Sequence, residues 1–92
     1  MNKAELVTKM AEKSELSKKQ AEAALNAFIE SVQETLMDGD KVQLVGFGTF
    51  EVRERAARTG RNPRNPEEVI EIPASLAPAF KPGKALKDLI NA

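Results

Sequence analysis

Residues 46–63 read GFGTFEVRERAARTGRNP, and the pattern of this stretch changes halfway along from that of a half-buried strand to that of an exposed segment. Two glycines open it, and Phe50 and Val52 then alternate with polar residues at the period of a β-strand. Val42 and Leu44, before the glycines, also alternate with polar residues. A β-hairpin that turns around the glycines is therefore predicted, with these residues on the same face as Phe50 and Val52. The opposite face of this hairpin would carry Gln43, Thr49, Glu51, Arg53 and Arg55. The GFG sequence lacks the Lys-Ser/Thr pair of a phosphate-binding loop, which argues against a nucleotide site.

The segment after Val52 predicts an arm that leaves the body of the protein. The sixteen residues 53–68 carry too little apolar content to pack on a body, and an apolar strand resumes at residues 69–72. A structureless loop of that length is unusual in a compact domain, so we expect two extended legs that meet at a tip near residues 60–66. Each leg of about ten residues would reach roughly 30 Å. The predicted arm covers about residues 53–72.

The arm concentrates positive charge in a chain that is neutral overall. Fourteen basic residues balance fourteen acidic ones, but twelve consecutive positions hold all the arginines and a single acid, Glu54. A solvated face is the alternative interpretation of such a charge run. The choice of arginine over lysine favours nucleic acid, because the planar guanidinium suits phosphates, base edges and narrow minor grooves. These arginines are Arg53, Arg55, Arg58, Arg61 and Arg64.

The residues before the hairpin predict two antiparallel helices within residues 1–40. Asn2 and Glu5 have capping-box spacing, and the apolar stripe behind them indicates a helix of about ten residues that closes before Ser14. Ser17 and Gln20 form a second such pair, which opens a longer amphipathic helix. This helix should end at the Asp-Gly-Asp sequence that precedes Lys41.

The residues after the arm predict an irregular connection and a short terminal helix. Residues 74–80 are mostly small and show no clear period. Lys81, Pro82 and Gly83 then open a helix within residues 81–92, with the proline suited to its first turn. The sheet and arm are thus assigned to residues 41–80, and the whole chain 1–92 to a single domain.

The composition disfavours an enzyme and a membrane protein. Histidine and cysteine are both absent, which removes the commonest general base, thiolate metal sites and disulfides. We therefore expect no catalytic residue, cofactor or metal. No apolar run approaches the ~18 residues of a membrane span, and no signal peptide is visible, so a cytoplasmic protein is expected.

Three stretches together resemble the bacterial histone-like family of HU and integration host factor, with HU the nearer. They are the run at residues 46–63, the IPAS sequence at 72–75 and the PAFKPGKALK sequence at 78–87. The resemblance implies an α+β fold with an N-terminal helical hairpin, a β-saddle with a protruding β-ribbon arm and a short C-terminal helix. It further implies an intertwined homodimer that binds, bends and compacts double-stranded DNA from the minor groove with little sequence specificity, in the bacterial nucleoid.

The resemblance also implies roles for individual residues. Pro63 would be a wedge between base pairs, for which a simple turn former is the alternative interpretation. Asn62 would bond base or sugar edges, and Gly46 would let the backbone approach phosphates. The remaining predicted DNA contacts are Arg53, Arg55, Arg58, Arg61, Arg64, Lys3, Lys81, Lys84 and Lys87, although a solvated face would equally account for the last three. The predicted dimer core consists of Phe47, Phe50 and Phe80.

Two departures from the family pattern are visible near the tip. Family members usually have Thr-Gly soon after the tip proline, whereas this sequence has Arg64, Asn65 and Pro66. The return leg, which runs from Pro63 to Pro73, is one residue longer than the common pattern. The return leg also holds Glu67, Glu68 and Glu71, which predicts weaker non-specific binding than a strongly basic relative would show. The alternative function is an HU-shaped dimer with reduced DNA affinity that acts on RNA or a protein partner.

Overall fold

The computed structural model describes residues 1–92, with the side chain of Asn62 as the one exception. Two helices come first, five strands follow, and a short helix closes the chain. In chain order the elements are α1 (Lys3–Ser14), α2 (Lys18–Met37), β1 (Val42–Leu44), β2 (Gly48–Arg55), β3 (Arg58–Asn62), β4 (Asn65–Ile72), β5 (Ser75–Pro82) and α3 (Lys84–Ile90).

Side-chain caps begin both long helices, as the sequence predicts. The Asn2 Oδ1 accepts the Glu5 amide at 2.9 Å. At α2 the Ser17 Oγ accepts the Gln20 amide at 3.1 Å, and the Gln20 side chain accepts the Ser17 amide at 3.1 Å, which completes a capping box. α1 runs through Ser14, whose hydroxyl donates to the Met10 carbonyl, so the expectation that it closes earlier is wrong.

β1, β2 and β5 form one antiparallel sheet with β2 in the centre. Val42 lies opposite Phe50, and Phe50 lies opposite Phe80, so these apolar residues share one face. Gly46 has a φ of +83° in the β1–β2 connection, a conformation that costs glycine little. The predicted hairpin and its two faces are therefore confirmed.

The expectation that residues 74–80 are irregular is wrong, because they lie in β5. The alternation there is hidden by residue size: Pro78 and Phe80 face one way, and Ala77 and Ala79 face the other. β5 is an edge strand, where a proline can be accommodated because one side of the strand needs no ladder hydrogen bond. The expectation that Pro82 lies in the first turn of the last helix is wrong, because Lys81 and Pro82 belong to β5 and pair with β2; α3 begins at Lys84 with Gly83 as its N-cap.

The single protomer leaves much apolar surface uncovered. Only Val7, Ala11 and Ala21 are buried hydrophobic residues among those described. The radius of gyration is 18.8 Å, against about 12 Å for a compact chain of this length. The accessible surface is 7764 Å², whereas a compact monomer of this mass exposes roughly 5,300 Å². The excess of about 2,500 Å² comes from the projecting arm and from apolar faces without a partner.

The helices are not of the kind that spans a bilayer. Across the part of the chain that the structure describes, none is at once long enough and apolar enough to do so.

Candidate nucleic-acid interface

The upper face of the β1–β2–β5 sheet combines long polar side chains with a floor of small residues. The register places Arg53 opposite Ala77, Glu51 opposite Ala79 and Arg55 opposite Ser75. A floor of such small side chains lets a ligand's backbone approach the sheet closely. The residues of this upper face are Gln43, Thr49, Glu51, Arg53, Arg55, Ser75, Ala77, Ala79 and Lys81.

Within the upper face, Arg53 is already oriented by a neighbour. Its Nε donates to the Glu51 Oε1 at 3.2 Å, two residues along the same strand. The Arg53 side chain is 59% exposed, so solvent screens this pair and it adds little to stability. The pair instead restricts the orientation of the Arg53 guanidinium on the upper face of the sheet.

The lower face of the sheet holds a cluster of phenylalanines. The Phe50 and Phe80 ring centroids lie 4.9 Å apart, and those of Phe47 and Phe80 lie 5.3 Å apart. All three residues of the predicted dimer core therefore meet within one protomer. Phe47 remains 45% exposed and Phe80 38% exposed, which leaves area for a partner. Their contact across a two-fold axis stays a prediction.

Phe28 is a fourth member of this cluster that the sequence analysis did not place there. Its ring meets that of Phe50 edge-on, with the centroids 6.2 Å apart. The signal was available, since Phe28 continues the apolar stripe of α2 between Leu25 and Val32. The helical hairpin is thereby joined to the sheet.

The β1–β2 turn and the start of α3 are joined by a hydrogen bond. The Gly83 amide donates to the Phe47 carbonyl at 2.8 Å, which fixes Lys84 as the first residue of α3 near the turn. A groove of about 410 Å³ lies along this edge of the sheet. Gly46 and Lys81 line it together with Lys41, a basic residue that the sequence analysis missed.

Lys3 lies apart from the sheet, in a groove of about 450 Å³ between α1 and α2. Lys18 and Glu22 line the same groove. Lys18 was not among the predicted site residues, because its position after the Ser17 cap identified it only as part of a helix start. Two lysines on one flank of the helical hairpin extend the basic surface beyond the sheet.

The segment predicted as one arm is divided into two parts. β2 and β5 remain paired as far as Arg55 and Ser75, so Arg53 and Arg55 lie on the three-stranded sheet. β3 and β4 form a separate two-stranded ribbon that begins with Arg58 opposite Ile72. This ribbon, residues 58–72, is the arm of the protein.

The tip of the arm is the two-residue connection of Pro63 and Arg64, which are both exposed. Asn62 pairs with Asn65 across it, although the Asn62 side chain lies outside the described part of the structure. The prediction that Asn62 contacts DNA is therefore not addressed by its placement.

The longer return leg is accommodated by a bulge. Arg61 pairs with Val69, so β4 has three more residues than β3 between this pair and the tip pair. The Arg61 Nη1 donates to the Pro66 carbonyl at 3.4 Å, which connects the two strands across the bulge. The bulge consists of Pro66, Glu67 and Glu68.

Charge is distributed unequally over the two strands of the arm. β3 contains Arg58 and Arg61 and no acid, whereas β4 contains three glutamates and no basic residue. The arm strands also expose apolar side chains, among them Val69 at 61% and Ile70 at 43%. Among the described residues no group of His, Cys, Asp or Glu could hold a metal ion.

Comparison with known proteins identifies the family. A family model described as bacterial DNA-binding protein matches residues 1–91. The chain belongs to the bacterial DNA-binding protein family. The protein named DNA-binding protein HU from Clostridium pasteurianum is 69% identical over 91 residues, which cover 99% of each chain. DNA-binding protein HU from Geobacillus stearothermophilus is 64% identical over 91 residues, which cover 99% of this chain and 100% of that one.

Solved structures of the same family share this fold. An HU–DNA cocrystal structure from Anabaena matches with a TM-score of 0.90 and 53% identity, over 98% of this chain and 97% of that chain. HU from Thermotoga maritima matches with a TM-score of 0.70 and 37% identity, over 98% of each chain. The predicted family and the α+β fold are thereby confirmed. Membership in the bacterial DNA-binding protein family also makes the chain a structural protein rather than an enzyme, and it does not favour the alternative ligands RNA or protein.

Proposed function

We propose that this protein binds double-stranded DNA as a homodimer, contacts it from the minor groove, and bends it with little sequence specificity. The observation that carries this proposal is the continuity of two surfaces: the upper face with its small-residue floor, and the basic strand of the arm that extends from it. The similar HU from Anabaena was crystallised with DNA, which supports the same ligand here. The bound DNA would be that of the bacterial nucleoid.

The arginines supply the attraction to the phosphates. Arg53 and Arg55 lie above the small floor of the sheet, and Arg58 continues the series onto the arm. Each phosphate that they neutralise releases condensed counterions, and this release favours binding whatever the sequence. Phosphate contacts position a protein on the duplex but carry no sequence information, so little specificity is expected.

The tip supplies the bend. Pro63 and Arg64 form the exposed end of the arm, and a proline ring is apolar and rigid enough to separate stacked base pairs. Unstacking costs a few kcal/mol per step, which the contacts of the bent duplex with the body offset. Bent DNA would then reach the flanks, and its phosphates would contact the backbone of Gly46 and the flanking lysines, which are Lys3, Lys81, Lys84 and Lys87.

The homodimer follows from the uncovered apolar surface. Each protomer exposes about 2,500 Å² more than a compact chain of its mass. Obligate dimer interfaces bury about 2,000–5,000 Å² in total, and the combined excess of two protomers, about 5,000 Å² with the arms included, is of that size. Leu76, which lies on the same face of β5 as Phe80, and the α3 residues Leu89 and Ile90 are at least 72% exposed in one protomer, so they add apolar surface for a partner to cover.

The salt dependence of binding tests this proposal. If the two arms and their flanks engage about six to eight phosphates, a plot of log K against log salt should have a slope near −5 to −7. Fluorescence anisotropy with a labelled duplex measures this slope. A slope shallower than about −2 would contradict the assignment of the arginines as the contact surface.

A competition series tests the preferred shape of the ligand. Nicked and gapped duplexes should compete better than a continuous duplex, because their deformation costs less. Structured RNA should compete poorly, since its deep, narrow major groove and shallow minor groove offer the arms a different shape. RNA that competes as well as nicked DNA would support the alternative function instead.

A further inference from the structure

The upper face of the sheet carries one acid among its basic residues. Glu51 is the only acidic side chain of the nine residues on this face, and it precedes the proposed phosphate contacts Arg53 and Arg55 on the same strand. A carboxylate on a face that binds phosphates repels them, so by charge alone Glu51 lowers the affinity for DNA. Any favourable contribution of Glu51 to binding must therefore come from the geometry that it imposes on a neighbouring cation.

Glu51 pairs with Arg53 and not with the lysines around it. Its Oε1 accepts a hydrogen bond from the Arg53 Nε at 3.2 Å. Lys41 and Lys81 line the same groove as Glu51, but among the described residues neither forms an ion pair with it. The spacing of two residues places Glu51 and Arg53 on one face of β2, and an alanine of β5 lies opposite each of them. The two side chains are therefore left to each other.

The bond occupies only one edge of the Arg53 guanidinium. This planar group has an edge formed by Nε and one Nη, and a second edge formed by the two Nη groups. Glu51 accepts from Nε, and no hydrogen bond to another described residue uses the Nη groups of Arg53. The second edge is thus open, and it has the geometry for two parallel hydrogen bonds to one phosphate.

The exposure of the two side chains indicates which one orients the other. The Glu51 side chain is 29% exposed, whereas that of Arg53 is 59% exposed. The more buried carboxylate is the fixed member of the pair, and the long arginine side chain is the one with many rotamers to lose. Ordering such a side chain at an interface lowers the affinity. A bond that already restricts Arg53 in the free protein reduces that loss.

We propose that Glu51 is a positioning residue for DNA binding, which holds the Arg53 guanidinium by its Nε edge and so presents the open edge to a phosphate of the duplex. This inference rests on the proposed function, because the orientation of Arg53 matters only if Arg53 contacts a phosphate. The benefit of orientation opposes the repulsion from the Glu51 charge, so the test must keep the charge constant.

Two neutral variants of Glu51 separate orientation from charge. Glu51→Gln and Glu51→Ala both remove the negative charge, but only glutamine keeps a side-chain oxygen that can accept from the Arg53 Nε. By fluorescence anisotropy with a labelled duplex, Glu51→Ala should bind about three- to tenfold more weakly than Glu51→Gln, since two arginines per dimer lose their orientation. In an Arg53→Ala background the two substitutions should give equal affinities.

Glu54 supplies the matched control on the same strand. It lies on the other face of the sheet, opposite Leu76. Glu54→Ala and Glu54→Gln should therefore bind DNA equally. Equal affinities of Glu51→Ala and Glu51→Gln, with Arg53→Ala still weaker than the parent protein, would overturn the inference and leave the phosphate contact of Arg53 in place. An Arg53→Ala dimer that binds as the parent does would contradict that contact itself, and the inference would fail with it.

The NMR signal of the Arg53 Nε–H in the free protein gives a readout that does not depend on DNA. This proton should exchange with water more slowly in the parent and in Glu51→Gln than in Glu51→Ala. The thermal unfolding midpoints of all three should agree, because an exposed ion pair adds little to stability. Equally fast exchange in all three proteins would show that Glu51 does not hold Arg53, and it would overturn the inference whatever the affinities are.

Discussion

The arm and the three-stranded sheet are both antiparallel, and they differ in what covers their apolar side chains. In the sheet, Phe50 and Phe80 lie in register and pack with Phe28 from α2. In the arm, Val69 is 61% exposed and no further element covers the ribbon within the described residues. The apolar contacts that stabilise the fold are therefore concentrated on the lower face of the sheet, whereas the arm adds to the proposed DNA surface without adding to the core. Substitutions of apolar residues on the lower face of the sheet should therefore change stability, and those in the arm should change binding.

The largest effect is expected at the phenylalanine cluster. Phe80→Ala should lower the free energy of unfolding by about 3–5 kcal/mol, because it removes a ring that packs on two others and leaves a cavity. Chemical denaturation measures the loss, and sedimentation should show dissociation of the dimer. The matched arm variant Val69→Ala should stay within about 0.5 kcal/mol of the parent. Equal losses of unfolding free energy in Phe80→Ala and Val69→Ala would show that the arm contributes to stability as much as the phenylalanine cluster does.

Substitution of a glycine by alanine should cost more stability in the sheet, at Gly48, than in the arm, at Gly60. A Cβ at Gly48 would lie 2.6 Å from the Phe80 Cζ and 2.7 Å from the Lys81 carbonyl oxygen, so Gly48→Ala should cost about 1–3 kcal/mol. A Cβ at Gly60 in the arm would lie 3.2 Å from the end of the Ile72 side chain, which can move aside. The thermal unfolding midpoint of Gly60→Ala should therefore lie near that of the parent protein. A Gly48→Ala protein with an unchanged midpoint would show that the sheet can relax around the added methyl group.

The tip should affect bending without affecting stability. Pro63→Ala should reduce the bend angle, while its affinity for a nicked duplex should change by less than about threefold, which is ~0.7 kcal/mol. The reason is that a nicked duplex has less stacking to disrupt when it bends. Energy transfer across the labelled duplex gives the angle. If Pro66→Ala reduces the bend and Pro63→Ala does not, the wedge has been assigned to the wrong proline.

The smallest effect is a gain in body stability. Glu15 ends α1 with a φ of +60°, a left-handed conformation that suits glycine, so Glu15→Gly should stabilise the protein by about 0.5–1 kcal/mol. Glu12→Gly, inside α1, should instead cost about 1 kcal/mol. Denaturation midpoints of the two variants should therefore move in opposite directions. Affinity for DNA should stay unchanged in both, since neither residue belongs to the proposed interface.

The features that the sequence predicts well are those that depend on neighbouring residues. The Ser17 and Gln20 capping box acts over three positions, and the alternation of Phe50 and Val52 follows from strand geometry alone. The arm could be predicted from a lack of apolar content. The positive charge of the arm could also be predicted, because it depends on the residue types present and not on how the chain folds.

The features that the sequence analysis missed depend on contacts between distant residues. β5 was predicted as irregular because its alanines and prolines have weak strand preference, and only pairing with β2 makes it a strand. The boundary between the sheet and the arm likewise depends on a contact between distant residues, because the pairing of Ser75 with Arg55 sets where the three-stranded sheet ends. An extra residue in the return leg was visible, but the bulge that absorbs it was not, since a bulge exists only relative to the partner strand.

Because β3 and β4 form a sheet separate from β1, β2 and β5, the arm is a structural unit of its own. Its two junctions, residues 56–57 and 73–74, lie outside the paired strands on either side and contribute nothing to the phenylalanine cluster. Residues 58–72 could therefore be exchanged with the corresponding segment of a relative while the folded body stays intact. Chimeras of this kind would combine the proposed DNA contacts of a relative's arm with the folded body of this protein.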